Sequence, residues 1–228
     1  MWSRLYMVLV LVAAGCMNAD KDSFYVFSQY DSFNEGLHDW KVDFADYPVN
    51  DSAFYELQYA HANLPEDLGE GKALMVSGNN HSDDLFMFIK KKIRYLKPNT
   101  EYAISFEIEF ATNATGDVGV GGSPGASVFL KAGAHAAEPL KVNVDEYYQM
   151  NIDKGNQSVG GSDMVVIGNI VTPQSDGYAY QSRNNTTTFI ARTNSQGELW
   201  VIVGTDSGFE GTTTLYYTRI NIVLSISE

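Results

Sequence analysis

Residues 101–110, EYAISFEIEF, alternate in strict period two. Tyr102, Ile104, Phe106, Ile108 and Phe110 share one face, while Glu101, Ser105, Glu107 and Glu109 share the other. A helix, with 3.6 residues per turn, would scatter these apolar positions around its circumference. An extended strand gathers them on the face that a core can bury. Lys97-Pro98-Asn99-Thr100 precedes the strand as a turn, because Pro fixes φ and Asn bonds nearby backbone. The C-terminal run LYYTRINIVLSI repeats the alternation and predicts Tyr216, Thr218, Ile220, Ile222, Leu224 and Ile226 on one face. ELWVIVG (198–204), ALMVSG (73–78), LFMFIK (85–90), ASVFLKAG (126–133), MVVIGNI (164–170) and TTTFIAR (186–192) read as further short strands separated by Gly- or Asn-rich segments. Helical periodicity is scarce, and a turn of helix at 145–150 is read as decoration. The chain is therefore all-β, with its strands paired antiparallel in a sandwich or barrel.

The chain carries a formal net charge of −13 and a single cysteine, Cys16. Such acidity repels phosphate backbones, so nucleic acid is not an expected partner. One cysteine permits no internal disulfide, and stability must come from a packed core. Arg4 and the apolar run 5–14 form a charged and then hydrophobic leader, too short for a span of about 20 residues. Ala13-Ala14-Gly15-Cys16 ends it. This ending resembles the lipobox of bacterial lipoproteins. The resemblance implies a signal peptide at 1–15, lipid on Cys16, a polar tether through residue 23 and one domain at 24–228. The protein would then sit in the bacterial cell envelope, held to a membrane by lipid (palmitate among its acyl chains) and not by a span.

FNEGLHDW near the start, LKPNTEYAISFEIEF in the middle and TLYYTRINIVL at the end resemble the jelly-roll β-sandwiches of carbohydrate-binding modules and galactose-binding-like domains. In those domains an opening segment with Gly and Trp meets the closing strand at the sandwich edge. The resemblance implies a single jelly-roll-like antiparallel β-sandwich. It spans about a third of the chain and names no ligand, since one fold hosts many functions.

Four blocks could carry chemistry. Asn79, Asn80, His81, Asp83 and Asp84 crowd into a hairpin position between two apolar strands. They read either as a turn bonded to its own backbone or as a loop that meets sugar hydroxyls with amide, imidazole and carboxylate groups. Asp153, Lys154, Asn156 and Gln157 lie in a Gly-rich polar stretch long enough to be a binding loop. Asp206 and Glu210 flank Gly208 and are the natural partners of Asp83 and Asp84 should these loops converge. Trp40 is either a core ring or a platform for a sugar face. The carboxylates also suit a structural Ca2+, although no EF-hand spacing is present. Among the four histidines there is no HExxH, and no GxSxG or P-loop ending occurs.

No spacing demands catalysis, so the expected function is recognition of a glycan or cell-wall polymer through polar loops. The alternatives are a polysaccharide-acting enzyme that draws its acid and base from Asp83, Asp84, Asp206 and Glu210, and an envelope protein that binds another protein.

Overall fold

The computed structural model describes residues 25–226 except 175. The expected signal peptide, Cys16 and its tether lie outside the described residues. Fifteen strands follow in order: β1 Val26–Ser32, β2 Lys41–Ala45, β3 Tyr47–Pro48, β4 Gln58–Asn63, β5 Lys72–Asn79, β6 Leu85–Ile93, β7 Glu101–Thr112 and β8 Val128–His135. Then come β9 Lys141–Val144, β10 Tyr147–Met150, β11 Met164–Asn169, β12 Ala179–Asn184, β13 Phe189–Arg192, β14 Leu199–Ser207 and β15 Thr212–Ile226. One 3-10 turn, Glu66–Leu68, is the sole helical element among the described residues.

Two antiparallel sheets face each other. The first runs β12-β7-β15-β5-β4, with β1 also on β15 and β13 also on β7. The second runs β11-β8-β14-β6-β2. The opening strand therefore pairs with the closing one, Val26 opposite Ser225 through Ser32 opposite Arg219. Between the sheets lies a single apolar cluster in which Tyr102, Ile104, Phe106, Ile108 and Phe110 meet Leu85, Met87, Ile89, Val201 and Val203. The alternation of 101–110 is thus the alternation of core and solvent. Tyr102 extends the design: its hydroxyl accepts the Lys97 backbone N–H at 2.8 Å and fixes the Leu-Lys-Pro-Asn-Thr turn.

Two expectations are corrected. The face expected for 215–226 shifts midway, because the register slips between Tyr217 and Arg219. Thr213, Leu215 and Tyr217 point inward before this bulge, and Ile220, Ile222 and Leu224 after it, leaving Tyr216 and Thr218 outside. One extra residue inverts every side chain on one side of it. The helical turn expected at 145–150 is instead a hairpin joining β9 to β10. Asp145 and Glu146 both take positive φ, 51° and 64°, the conformation of a tight primed turn.

The outer face of the second sheet is unusual, since β6 is buried on both sides. Phe86 and Phe88 stack at 5.4 Å and form a second, smaller cluster with Ile152, Met164, Ile202 and Ala45. β9, β10 and the loop 151–163 therefore lie across this face as a cover, and the cover positions the site.

Candidate functional site

The site starts from the pleat of β14. Its even-numbered residues, Trp200, Ile202, Gly204 and Asp206, point away from the main core. Asp206 is completely buried beneath the cover. Lys131 of β8 sits opposite Gly204 and is also completely buried. Its ammonium donates to Asp206 Oδ2 at 2.7 Å and to the carbonyls of Lys154 and Val159 at 2.9 and 3.0 Å. One lysine from the sheet thus closes the loop 151–163 over it. The same Asp206 oxygen accepts from Lys154 Nζ at 2.8 Å and from the Gln157 backbone N–H at 2.9 Å. Lys154 Nζ also lies 2.8 Å from Asp46 Oδ2, an ion pair without hydrogen-bond alignment.

Asp84 completes the cluster. Oxygens of Asp46, Asp84 and Asp206 lie within 4.8 Å of one another. Asp84 Oδ1 and Asp206 Oδ1 are both buried without a partner. Three carboxylates face two ammoniums, and the electrostatics follow from that imbalance. Burial, then the negative charges of Asp46 and Asp206, push the Asp84 carboxyl up to about 7. Asp46 is also raised by burial, against the pull of Lys154. Burial depresses Lys131. For Lys154, burial is outweighed by Asp206 and Asp46 together, so its ammonium is held above the usual lysine range.

Above this base is an open depression of about 240 Å³. Asp84, Lys154 and Asp46 line its floor, Tyr147 and Met150 its apolar side, and Gln149, Asp153 and Asn156 its rim. Tyr147 donates its hydroxyl to the Asp46 carbonyl at 2.9 Å, which fixes the ring. Asp153 shapes the rim loop by accepting the backbone N–H groups of Gly155 and Ser162 at 3.0 and 2.8 Å, and these bonds hold its carboxyl below the ordinary range.

The loops 79–84 and 151–163 therefore meet. Gln157 Nε2 donates to the Asp83 carbonyl at 2.7 Å, across 74 residues of sequence. Asp84, Asp153, Lys154 and Asn156 reach one depression, and Gln157 buttresses it. Asn79 and Asn80 do not reach it. Asn80 is a buried turn residue whose amide donates to the carbonyls of Ser207 and Phe209 at 2.9 and 3.1 Å and whose oxygen accepts the Ser82 N–H. Asn79 bonds Tyr55 through its backbone. His81 stacks on Phe54 at 4.0 Å, outside the depression. Asp83 has positive φ, 58°, and an exposed side chain.

Trp40 as a sugar platform is corrected. Only 4% of it is exposed, and its Nε1 donates to buried Asp31 at 2.9 Å. A ring without an open face cannot stack on a ligand. The acid–base pairing is corrected as well. Glu210 is an exposed loop residue and Asp83 points outward, so neither joins the carboxylates that meet. Asp206 does meet Asp84, but it is sealed and tied to two lysines. The same lysines occupy the carboxylate trio, the one such group among the described residues, where a divalent ion would otherwise be neutralised.

The sequence reading missed Lys131 and gave Asp46 no role. Lys131 left one signal: a lysine in the middle of an otherwise apolar strand, VFLKAG, which must bury its charge against a partner.

No family model and no curated protein matches the sequence. Solved β-sandwich modules resemble it in fold alone. The carbohydrate-binding module TmCBM27, studied for specific mannan recognition, is 13% identical over 90% of this chain and 99% of its own, with a TM-score of 0.44. TmCBM61, solved with β-1,4-galactotriose, is 11% identical over 84% of this chain and 92% of its own, at a TM-score of 0.37. The CBM22-1 xylan-binding domain of Paenibacillus barcinonensis Xyn10C is 9% identical over 88% and 95%, at 0.36. Mannan, galactotriose and xylan are ligands of those proteins.

Proposed function

We propose that this protein is a carbohydrate-binding protein of the cell envelope, lipid-anchored through Cys16, and that its ligand enters the depression over Asp84. One observation carries the reading: two loops far apart in sequence meet over Asp206 and, with β10, converge carboxylate, amide and phenol groups on a cavity of about 240 Å³. Sugars present adjacent hydroxyls that donate and accept at once. Gln149, Asn156 and Asp84 offer both kinds of partner, and Tyr147 and Met150 offer an apolar wall. The anchor fits this arrangement. β1 enters beside Ser225, at the end of the sandwich remote from the loops that close between Asn79 and Thr212. A tether from Cys16 would hold the depression away from the membrane. Catalysis has less support, because the second carboxylate at the depression, Asp153, is spent on the backbone N–H groups of Gly155 and Ser162.

A glycan-array screen of the purified protein, with and without calcium, beside an Asp84→Asn variant tests the proposal. Binding of a defined glycan by the protein and its loss in the folded variant is the expected result. Binding to no glycan overturns the reading.

A further inference from the structure

The basic run Lys90-Lys91-Lys92-Ile93-Arg94 is the densest positive segment of a chain whose net charge is −13. Its members divide by face. Lys91 turns inward and pairs with Asp31 at 2.7 Å. Lys90, Lys92 and Lys41 gather instead over one indole, Trp200, with their ammoniums 5.7, 5.2 and 5.7 Å from its ring centroid. Lys90 is consumed by Glu138 at 2.9 Å and the Pro139 carbonyl at 2.6 Å. Lys92 and Arg94 share a single carboxylate, Glu198, at 3.0 and 3.5 Å. Lys41 makes no ion pair among the described residues. Lys41, Lys92, Arg94, Asp39 and Trp200 line a pocket of about 250 Å³.

We propose that this pocket is an oxyanion-binding site, distinct from the depression over Asp84, which takes a carboxylate or sulfate carried on a sugar. Only 8% of Trp200 is exposed, so a ligand meets the ammoniums and not the indole face. That excludes stacking of a neutral ring as the recognition mode. The indole holds the lysine heads by cation–π attraction, so like charges stand together before any ligand arrives and little ordering remains to be done on binding. Arg94 adds a fork that matches a planar carboxylate. Asp39 and Glu198 offset two of the three charges of Lys41, Lys92 and Arg94 and leave one positive charge in excess at the pocket, while the acidity of the rest of the chain is screened beyond about 8 Å at physiological ionic strength. The word sugar rests on the carbohydrate reading above; the anion site does not.

The test titrates the purified protein with tetragalacturonate, galactotetraose, inorganic sulfate and phosphatidylglycerol vesicles, at low and high NaCl. The readout is the fluorescence of Trp200, isolated by difference from Trp200→Phe. The acidic tetramer should bind at least tenfold tighter than the neutral one, weaken with salt, and lose at least tenfold in Lys41→Gln/Lys92→Gln, whose melting curve verifies the fold. Sulfate should compete. Equal affinity for both tetramers overturns the anion site while sparing the carbohydrate reading. Acidic binding that survives the double variant, vesicle binding without oligosaccharide binding, or no response to any probe also overturns it.

Discussion

Lys154 and Asp206 are 52 residues apart in sequence, yet Nζ and Oδ2 lie 2.8 Å apart beneath the cover of the second sheet. This contact locks the binding loop to β14, which runs beneath the depression. A buried pair of this kind is costly to break, because the surviving charge cannot reach water. Lys154→Met should lower stability by about 3–5 kcal/mol. Chemical denaturation checks the value. A loss under 1 kcal/mol would mean that Lys131, the Gln157 N–H and apolar packing hold the loop without the Lys154 ammonium.

Asp84 makes the cluster pH-dependent. Its carboxyl titrates near 7 in the folded protein and at the ordinary 3.8 when unfolded. Between these values the native state binds a proton that the unfolded state lacks. Its contribution to stability is complete below the unfolded value and is lost as pH rises through about 7. The difference in melting temperature between the protein and Asp84→Asn should therefore change across pH 5–8, with the protein losing ground as pH rises. A constant difference would show that Asp84 ionises normally.

Asp31 accepts from both Trp40 Nε1 at 2.9 Å and Lys91 Nζ at 2.7 Å in the core. Asp31→Ala strands a buried ammonium and should destabilise by about 3–5 kcal/mol. Trp40→Phe should be milder and leave ligand affinity unchanged. Weakened binding in a folded Trp40→Phe protein would return Trp40 to the site.

The β9–β10 turn uses two non-glycine residues at positive φ. Replacing Asp145-Glu146 with Asn-Gly relieves that strain and should raise the melting temperature. A thermal melt measures it, with glycan binding preserved. A fall in melting temperature would mean that the native side chains hold the turn.

The sandwich was legible because a half-buried strand writes its geometry directly as alternation, as in 101–110. The alternation failed at Arg219, where the bulge leaves no compositional mark, and at 145–150, where Asp-Glu does not announce a primed turn. The site was half legible. Polar loops at 79–84 and 151–163 declared themselves by composition, but which members reach a cavity depends on contacts made across 74 residues, as between Gln157 and Asp83. Asn80 shows the limit: its amide has the chemistry of a ligand group, yet it is spent on Ser207 and Phe209. Lys131 carried the mark of a charge in an apolar strand, but its partner, Asp206, lies 75 residues away and is set by the fold.

The central claim is that the joined loops form a carbohydrate pocket. Gln149 and Asn156 are exposed on its rim, outside the buried ion network. Calorimetric titration of the best array glycan into the protein and into Gln149→Ala/Asn156→Ala tests the claim most directly. The account predicts at least a tenfold loss of affinity with an unchanged melting temperature. Unchanged affinity in the folded double variant would place the glycan elsewhere and contradict it.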